Sequence, residues 1–423
     1  MKLNLLASLV FVLLASVGSF AQPAGGQGGV TPPPPPPQQP AFGITWGGFA
    51  KLDWGVDTRA TTNLREGEFS LYPVAASLDK NGKDVNATPT AMMLAVQTRL
   101  NAKIVGPDFL GAKTTGLIEG EFFGTADGDI SGFRLRHAWM KATWAKSELM
   151  MGQGWHPMFV PECFPGVYNF NTGVPFQPFN RSPQIRYTLM PSKSVKVILA
   201  ALGERDFQSI GPAGQVTTYQ RLAVIPNLHA QLQVNSGSVL FGVGLDEKWI
   251  RPRTTTIKGY STDTKVASNA VLAYLKYTAS PAFTVKLEGT YGSNMADHVM
   301  LGGFAETSVD STRGYTYDPI NIMAGWLELS GMSGKWEYGL FAGYTKNLGA
   351  ADNISTKGAA AWGRGVGLAS ASAIDNVMRV APRVGIKEGK MTIGIELEYT
   401  VAQYGAADPT NKFKVKTTDS TGK

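Results

Sequence analysis

Two short stretches carry the densest chemistry of this 423-residue chain, Ile118-Glu119-Gly120-Glu121 and Phe133-Arg134-Leu135-Arg136, in which charged residues alternate with apolar or small ones. A spacing of two in an extended chain sends both charges to one face, so Glu119 stands with Glu121 and Arg134 with Arg136. Guanidinium groups on one wall raise the local anion concentration and can grip a carboxylate through two parallel bonds. The same parity sets Arg99 beside Lys103, Gln184 beside Arg186, and Arg379 beside Arg383. These residues, with Glu119 and Glu121 among them, are the candidate lining of a polar passage. The competing reading is that they only cross-brace a wall, because Glu119 and Glu121 lie one strand from Arg134 and Arg136. Glu396 and Glu398 add further counter-charge.

The other chemical signals are weak. His137, His156, His229 and His298 show no metal-ligand spacing along the chain, so no metal site and no cofactor are expected. No Ser-His-Asp set can be argued, which leaves an outer-membrane enzyme as a minor alternative. The single cysteine, Cys163, lies in Pro161-Glu162-Cys163-Phe164-Pro165 without a partner for a disulfide or a metal pair, and reads as a small packed filler. The glycine run from Gly363 to Gly367 lacks the Lys and Ser/Thr of a phosphate loop. A net charge of +7 and an isoelectric point near 9.2 do not argue for nucleic acid, since the basic residues are scattered. Contact with outer-membrane lipid and lipopolysaccharide is the better use of exposed lysines.

The elements that must position these residues begin after an export signal. Met1-Lys2, an apolar run from Leu5 to Val17 and then Ser19-Phe20-Ala21 have the pattern of a secretory signal peptide, with cleavage expected between Ala21 and Gln22. Residues 22–42 are Gly-rich and then polyproline, an extended leader that cannot join a sheet ladder because proline has no amide donor. From residue 43 to 423 the pattern has period two. Ile44, Trp46, Leu52 and Trp54 oppose Thr45, Lys51 and Asp53, and Met391, Ile393, Ile395, Leu397 and Tyr399 oppose Thr392, Gly394, Glu396, Glu398 and Thr400. Past the signal no stretch reaches the roughly 18–20 apolar residues of a membrane helix. Charged residues make up only 17%, and Gly numbers 49, at a mean hydropathy of −0.07. The expected fold is therefore all-β: a transmembrane antiparallel barrel of about 16 strands in a Gram-negative outer membrane, with short turns alternating with long polar loops.

Parity poses a difficulty at the end of the chain. The count gives fifteen strands by residue 404, the fifteenth running outward, whereas an even barrel needs a sixteenth. The stretch after Asn411, Lys412 to Ser420, is weakly apolar, and the sequence ends at Lys423 without the terminal aromatic that such barrels usually carry. The expectation is a short or truncated last strand, from a chain cut or shifted in frame near its end, or else imperfect closure.

Four motifs in order, Ile118-Glu119-Gly120-Glu121-Phe122-Phe123, Phe133-Arg134-Leu135-Arg136-His137-Ala138, Met151-Gly152-Gln153-Gly154-Trp155 and Arg181-Ser182-Pro183-Gln184-Ile185-Arg186-Tyr187, make the chain resemble the DcaP-like trimeric outer-membrane porins. They cluster in residues 91–205. The resemblance implies a 16-stranded homotrimeric porin whose inward loops narrow the pore and which takes small anionic solutes such as dicarboxylates. The alternative from the same pattern is a plugged structural or adhesive surface barrel. The segment from His156 to Arg181, with Phe159, Phe164, Tyr168, Phe170, Phe176 and Phe179, is the candidate constriction; it packs either inside the barrel or against a neighbouring protomer.

Overall fold

The computed structural model describes residues 7–15, 43–312, 314–354, 360–368 and 372–417, with side chains from residue 43 onward. Period-two alternation becomes a continuous antiparallel sheet. Its long traverses are β1 (Gly43–Asp57), β2 (Thr90–Leu94 continued by Arg99–Val105), β3 (Lys113–Glu121), β4 (Arg134–Thr143), β5 (Ser147–Trp155), β6 (Arg181–Ser192), β7 (Val195–Leu202) and β8 (Asn227–Ser236). They continue with β9 (Val239–Ile250), β10 (Val266–Ser280), β11 (Phe283–Ser293), β12 (Tyr315–Ser333), β13 (Trp336–Gly349), β14 (Ala373–Glu388) and β15 (Met391–Asp408). Each pairs with the next in sequence. One rim carries the turns 106–112, 144–146, 193–194, 237–238, 281–282, 334–335 and 389–390, and the other carries the long connections.

Among the described residues the main sheet holds 20 strands, not the expected sixteen or so. Two local effects raise the number. The β2 traverse is interrupted at Ala95–Thr98, where Thr98 N–H donates to the Ala95 carbonyl and Val96 turns into the interior. Short strands at Gly302–Val309, Ala361–Arg364 and Lys414–Thr417 extend the long-connection rim.

Parity is met in an unexpected way. Lys414–Thr417 only folds back onto Gly405–Asp408 and makes no sixteenth traverse. Instead Ala7–Ala15, the middle of the expected signal segment, runs between the two outermost traverses. It is antiparallel to β1 (Ser8 opposite Asp57, Ala15 opposite Ala50) and to β15 (Ala7 opposite Tyr399, Ala15 opposite Met391). The polyproline leader and the expected cleavage point lie outside the described residues.

The two faces of the sheet are physically opposite. One exposes Trp336, Tyr338, Leu340, Ile386, Ile393, Ile395 and Leu397, apolar side chains that only a hydrocarbon phase or a partner makes favourable. The other, here the inner face, is polar at its ladder positions, as at Thr345, Arg379 and Glu396. Long connections fold onto this inner face, and the apolar core sits there: Phe69 and Leu71 from the first connection, Phe123 from the second, Phe159, Phe170, Phe176 and Phe179 from the third, Phe207 from the fourth. The 156–180 segment is thus packed inside against its own chain. Glycines on the wall leave room for its rings: a Cβ at Gly343 would stand 2.5 Å from the Phe176 ring, and one at Gly394 would collide with Tyr168.

Candidate functional site: a charged inner wall

The two charged motifs meet as expected. In β3 and β4 Glu121 faces Arg134 in register, alternation sets Arg136 on the same inner face, and a bulge at Glu119/Gly120 brings the adjacent His137 inward as well. Glu121 is the hub. Arg134 Nη2 and Arg136 Nη1 each donate to it at 2.6 Å, and Arg99 Nε at 2.9 Å. Arg136 Nε also donates to Glu119 at 2.8 Å. The hub carboxylate is fully buried, so burial without these three cations would cost several kcal/mol. Arg99, Arg134, Arg136, Glu119 and Glu121 thus brace one another across β2, β3 and β4.

Arg181, at the first position of β6, was not singled out from sequence as a site residue. It is fully buried, its Nη2 lies 2.6 Å from Asp206 Oδ2, and its guanidinium carbon is 4.9 Å from the Trp155 ring centre. Asp206 also contacts Arg134 at 3.2 Å, so the cluster continues into the fourth long connection. Arg-rich motifs flanking Gly-Trp at Gly154-Trp155 were the available signal, since Trp offers a ring face to a guanidinium.

The remaining predicted residues separate into two roles. Arg379 is sequestered: it donates to Thr400 Oγ1 at 2.8 Å, to the Val174 carbonyl at 3.1 Å and to the Leu71 carbonyl at 2.5 Å, tying two inner connections to β14. Gln184 is buried and spends its amide on the Gly154 and Trp155 carbonyls, while its oxygen accepts from Arg186 Nε at 2.8 Å. Arg383 shares Glu328 with Lys286, at 3.0 and 3.3 Å. Lys103 shares the face of Arg99 and is exposed. Among the described residues, Lys103, Arg186 and the inner-face Lys276 have no carboxylate within ion-pair distance. Lys276 stands opposite Lys286 across β10 and β11, two like charges side by side.

The 156–180 segment is fastened by its backbone. Tyr168 and Asn169 N–H donate to the Glu396 carboxylate at 2.9 and 3.1 Å, Asn171 Nδ2 donates to Glu398 at 3.0 Å, and Lys51 Nζ donates to the Tyr168 carbonyl at 2.9 Å. Glu396 and Glu398 thus hold the loop and do not face open space. Burial pushes the Cys163 thiol in this segment up to about 12, which agrees with an inert packed filler.

The histidines have no ligand spacing along the chain, yet His156 and His229 come together with Asp246, their ligand atoms all within 4.8 Å of one another. His298 joins them, its ring centre 4.6 Å from that of His156. The sheet makes this cluster: His229 and Asp246 are register partners on β8 and β9, whereas His156 and His298 arrive on separate connections. His137 stays apart, 4.0 Å from Glu119.

No family model and no curated protein matches this chain. Solved structures do. The outer-membrane channel DcaP of Acinetobacter baumannii aligns with a TM-score of 0.61 at 14% identity, over 85% of this chain and 97% of that one. An OmpT loop-deletion variant of Vibrio cholerae aligns at 0.45, with 11% identity over 85% and 100% of the two chains. An anion-selective porin from Comamonas acidovorans aligns at 0.42, with 12% identity over 85% and 99%. With its apolar outer face, loop-filled inner face and alternating rims, this chain has the outer-membrane β-barrel fold of the DcaP channel, the fold its four motifs implied.

Proposed function

We propose that the protein is an outer-membrane porin, a passive channel for small hydrophilic solutes that favours anions such as dicarboxylates. In this reading the sheet closes on itself as a barrel. The apolar face meets lipid, exposed lysines meet lipopolysaccharide, and the chain assembles as a homotrimer, as the motif resemblance implies. Residues 1–21 are the export signal, and 22–42 a leader on the periplasmic side. The observation that carries anion preference is the set of inner-face cations that have no carboxylate partner among the described residues: Lys103, Arg186 and Lys276. In a narrow low-dielectric passage such charges focus a positive potential. Arg99, Arg134 and Arg136 belong to the same wall, and their charge is largely met by Glu119 and Glu121.

The test is planar-bilayer recording of the purified protein under a KCl gradient. Anion-selective reversal potentials are expected, reduced when Arg186 and Lys276 are both changed to Gln. Cation selectivity overturns the preference and leaves a porin of another specificity. A second reading, a plugged barrel, is favoured by the apolar core that four long connections build on the inner face. Folded, inserted protein without conductance steps would select it.

A further inference from the structure

Asp246 on β9 is buried and, among the described residues, has no Lys or Arg partner; its neighbours are imidazoles, His229 Nδ1 at 3.0 Å and His156 Nε2 at 3.5 Å from Oδ2. Nearby Lys248 is spent on Asp297 at 2.5 Å. A buried carboxylate in this setting needs a cation.

The hydrogen-bond chain around His229 sets its tautomer. Gln231 Nε2 donates to the Tyr274 hydroxyl at 2.8 Å, and that hydroxyl donates to Gln233 at 3.2 Å. Gln231 therefore turns its oxygen to His229 Nε2, 3.1 Å away, and receives the imidazole proton there. With the imidazole proton on Nε2, the His229 Nδ1 lone pair faces the Asp246 oxygen, an arrangement that a proton or a metal ion between them stabilises. An imidazole that donates its far N–H to a fixed acceptor is also how metal-bound histidines are held.

We propose that His156, His229 and Asp246 form a binding site for one divalent transition-metal ion of the zinc class, placed where the 156–180 segment leaves the wall. Nitrogen and oxygen ligands at about 2.0–2.2 Å in a tetrahedron stand roughly 3.3–3.5 Å from one another, and the 3.0 and 3.5 Å separations bracket that spacing. Two further donors beside the three have no partner of their own: His298 Nδ1 and Asn227 Oδ1 are buried without a hydrogen bond. Asn227 already touches His156 Nε2 through Nδ2 at 3.2 Å, and an amide flip exchanges that nitrogen for the free oxygen. Coordination through His156 Nε2 moves its proton to Nδ1 and gives up the long 3.3 Å contact with Met158 N–H. Because His156 N–H is bonded to the Asn180 carbonyl, the ion ties both ends of the loop to β8 and β9.

The experiment uses the full-length exported protein, folded in detergent and stripped with a chelator. It is titrated with ZnCl2 against a chromophoric chelator and separately with CoCl2, whose visible bands report coordination number. One equivalent per chain is expected, with four-coordinate cobalt bands that zinc abolishes. His229→Ala and Asp246→Asn are expected to weaken binding at least tenfold, and Gln231→Leu, which removes the acceptor at His229 Nε2 together with the donor to the Tyr274 hydroxyl, about 10–100-fold. Heat-modifiable gel migration verifies that each variant is folded. Absence of stoichiometric binding in the unsubstituted protein overturns the site, as does binding that survives in folded His229→Ala and Asp246→Asn. In either of those cases the His229–Asp246 pair is held by a proton alone. The readout is metal occupancy, so it stands apart from the outcome of the conductance measurement.

Discussion

Glu121 and Arg136, fifteen residues apart on adjacent strands, sit 2.6 Å from each other with the carboxylate fully buried, and the same carboxylate serves Arg99 and Arg134. Glu121→Gln leaves three guanidiniums around a neutral amide. It is expected to destabilise the fold by about 3–5 kcal/mol and to shift the reversal potential further toward anions. Denaturant midpoints and bilayer recording measure the two effects. A stable variant with unchanged selectivity would mean that this cluster is screened from the passage.

Gly343 on β13 lies under the Phe176 ring. Gly343→Val has no room for its side chain while the ring stays in place, so the 156–180 segment must lift from the wall. The expected cost is about 1–3 kcal/mol, with a rise in single-channel conductance. If conductance does not change in folded protein, the segment does not set the narrowest point.

Ile395 and Leu397 on β15 point to the exposed apolar face. Ile395→Arg should cost about 2–4 kcal/mol if that face lies at the middle of a bilayer, read as a lower denaturant midpoint in lipid vesicles. An Arg tolerated at no cost would place β15 outside the hydrocarbon.

Glu204, in the connection 203–226, accepts from Ser209 N–H and Oγ–H at 3.1 and 2.6 Å. Burial, and next the Asp297 charge, push its carboxyl up to about 7 from an ordinary 4.5. A raised carboxyl favours the folded state in its neutral form. Its contribution is complete below about 4.5 and is lost as pH rises through about 7. Glu204→Gln should therefore flatten the loss of stability between pH 5 and 8, and an unaltered pH profile would assign that loss to other groups.

Ala7–Ala15 pairs on both sides in the sheet yet has the composition of an export signal. N-terminal sequencing of protein purified from outer membranes is expected to read from Gln22. The edges of β1 and β15 must then find another partner, because unpaired backbone groups in hydrocarbon cost several kcal/mol each. A protein that begins at Met1 would instead make Ala7–Ala15 a permanent stave.

Much of the architecture was legible in the sequence. The faces of β1 and β15 were read from alternation alone, because a strand has one periodicity and a membrane sorts it strictly by polarity. The fifteen traverses and the pairing of Glu119 and Glu121 with Arg134 and Arg136 were likewise within reach, since successive strands of an antiparallel sheet lie side by side and charges at their facing ends become neighbours. Strand number in the finished sheet was not, because the break at Ala95–Thr98 and the short rim strands depend on what the long connections dock against.

The sequence by itself determined an all-β chain, its apolar and polar faces, and which arginines and glutamates share the inner wall, all of them consequences of a period of two and of nearest-neighbour pairing. Only the tertiary structure decided that the 156–180 segment turns inward onto its own chain and that Arg379, Glu396 and Glu398 are consumed in holding it. It alone decided that Lys103, Arg186 and Lys276 lack carboxylate partners among the described residues, and that His156, His229 and Asp246 converge from three separate parts of the chain. The reason is closure. When a sheet curls round, residues hundreds of positions apart face one another across its interior, and spacing along the chain carries no record of that distance.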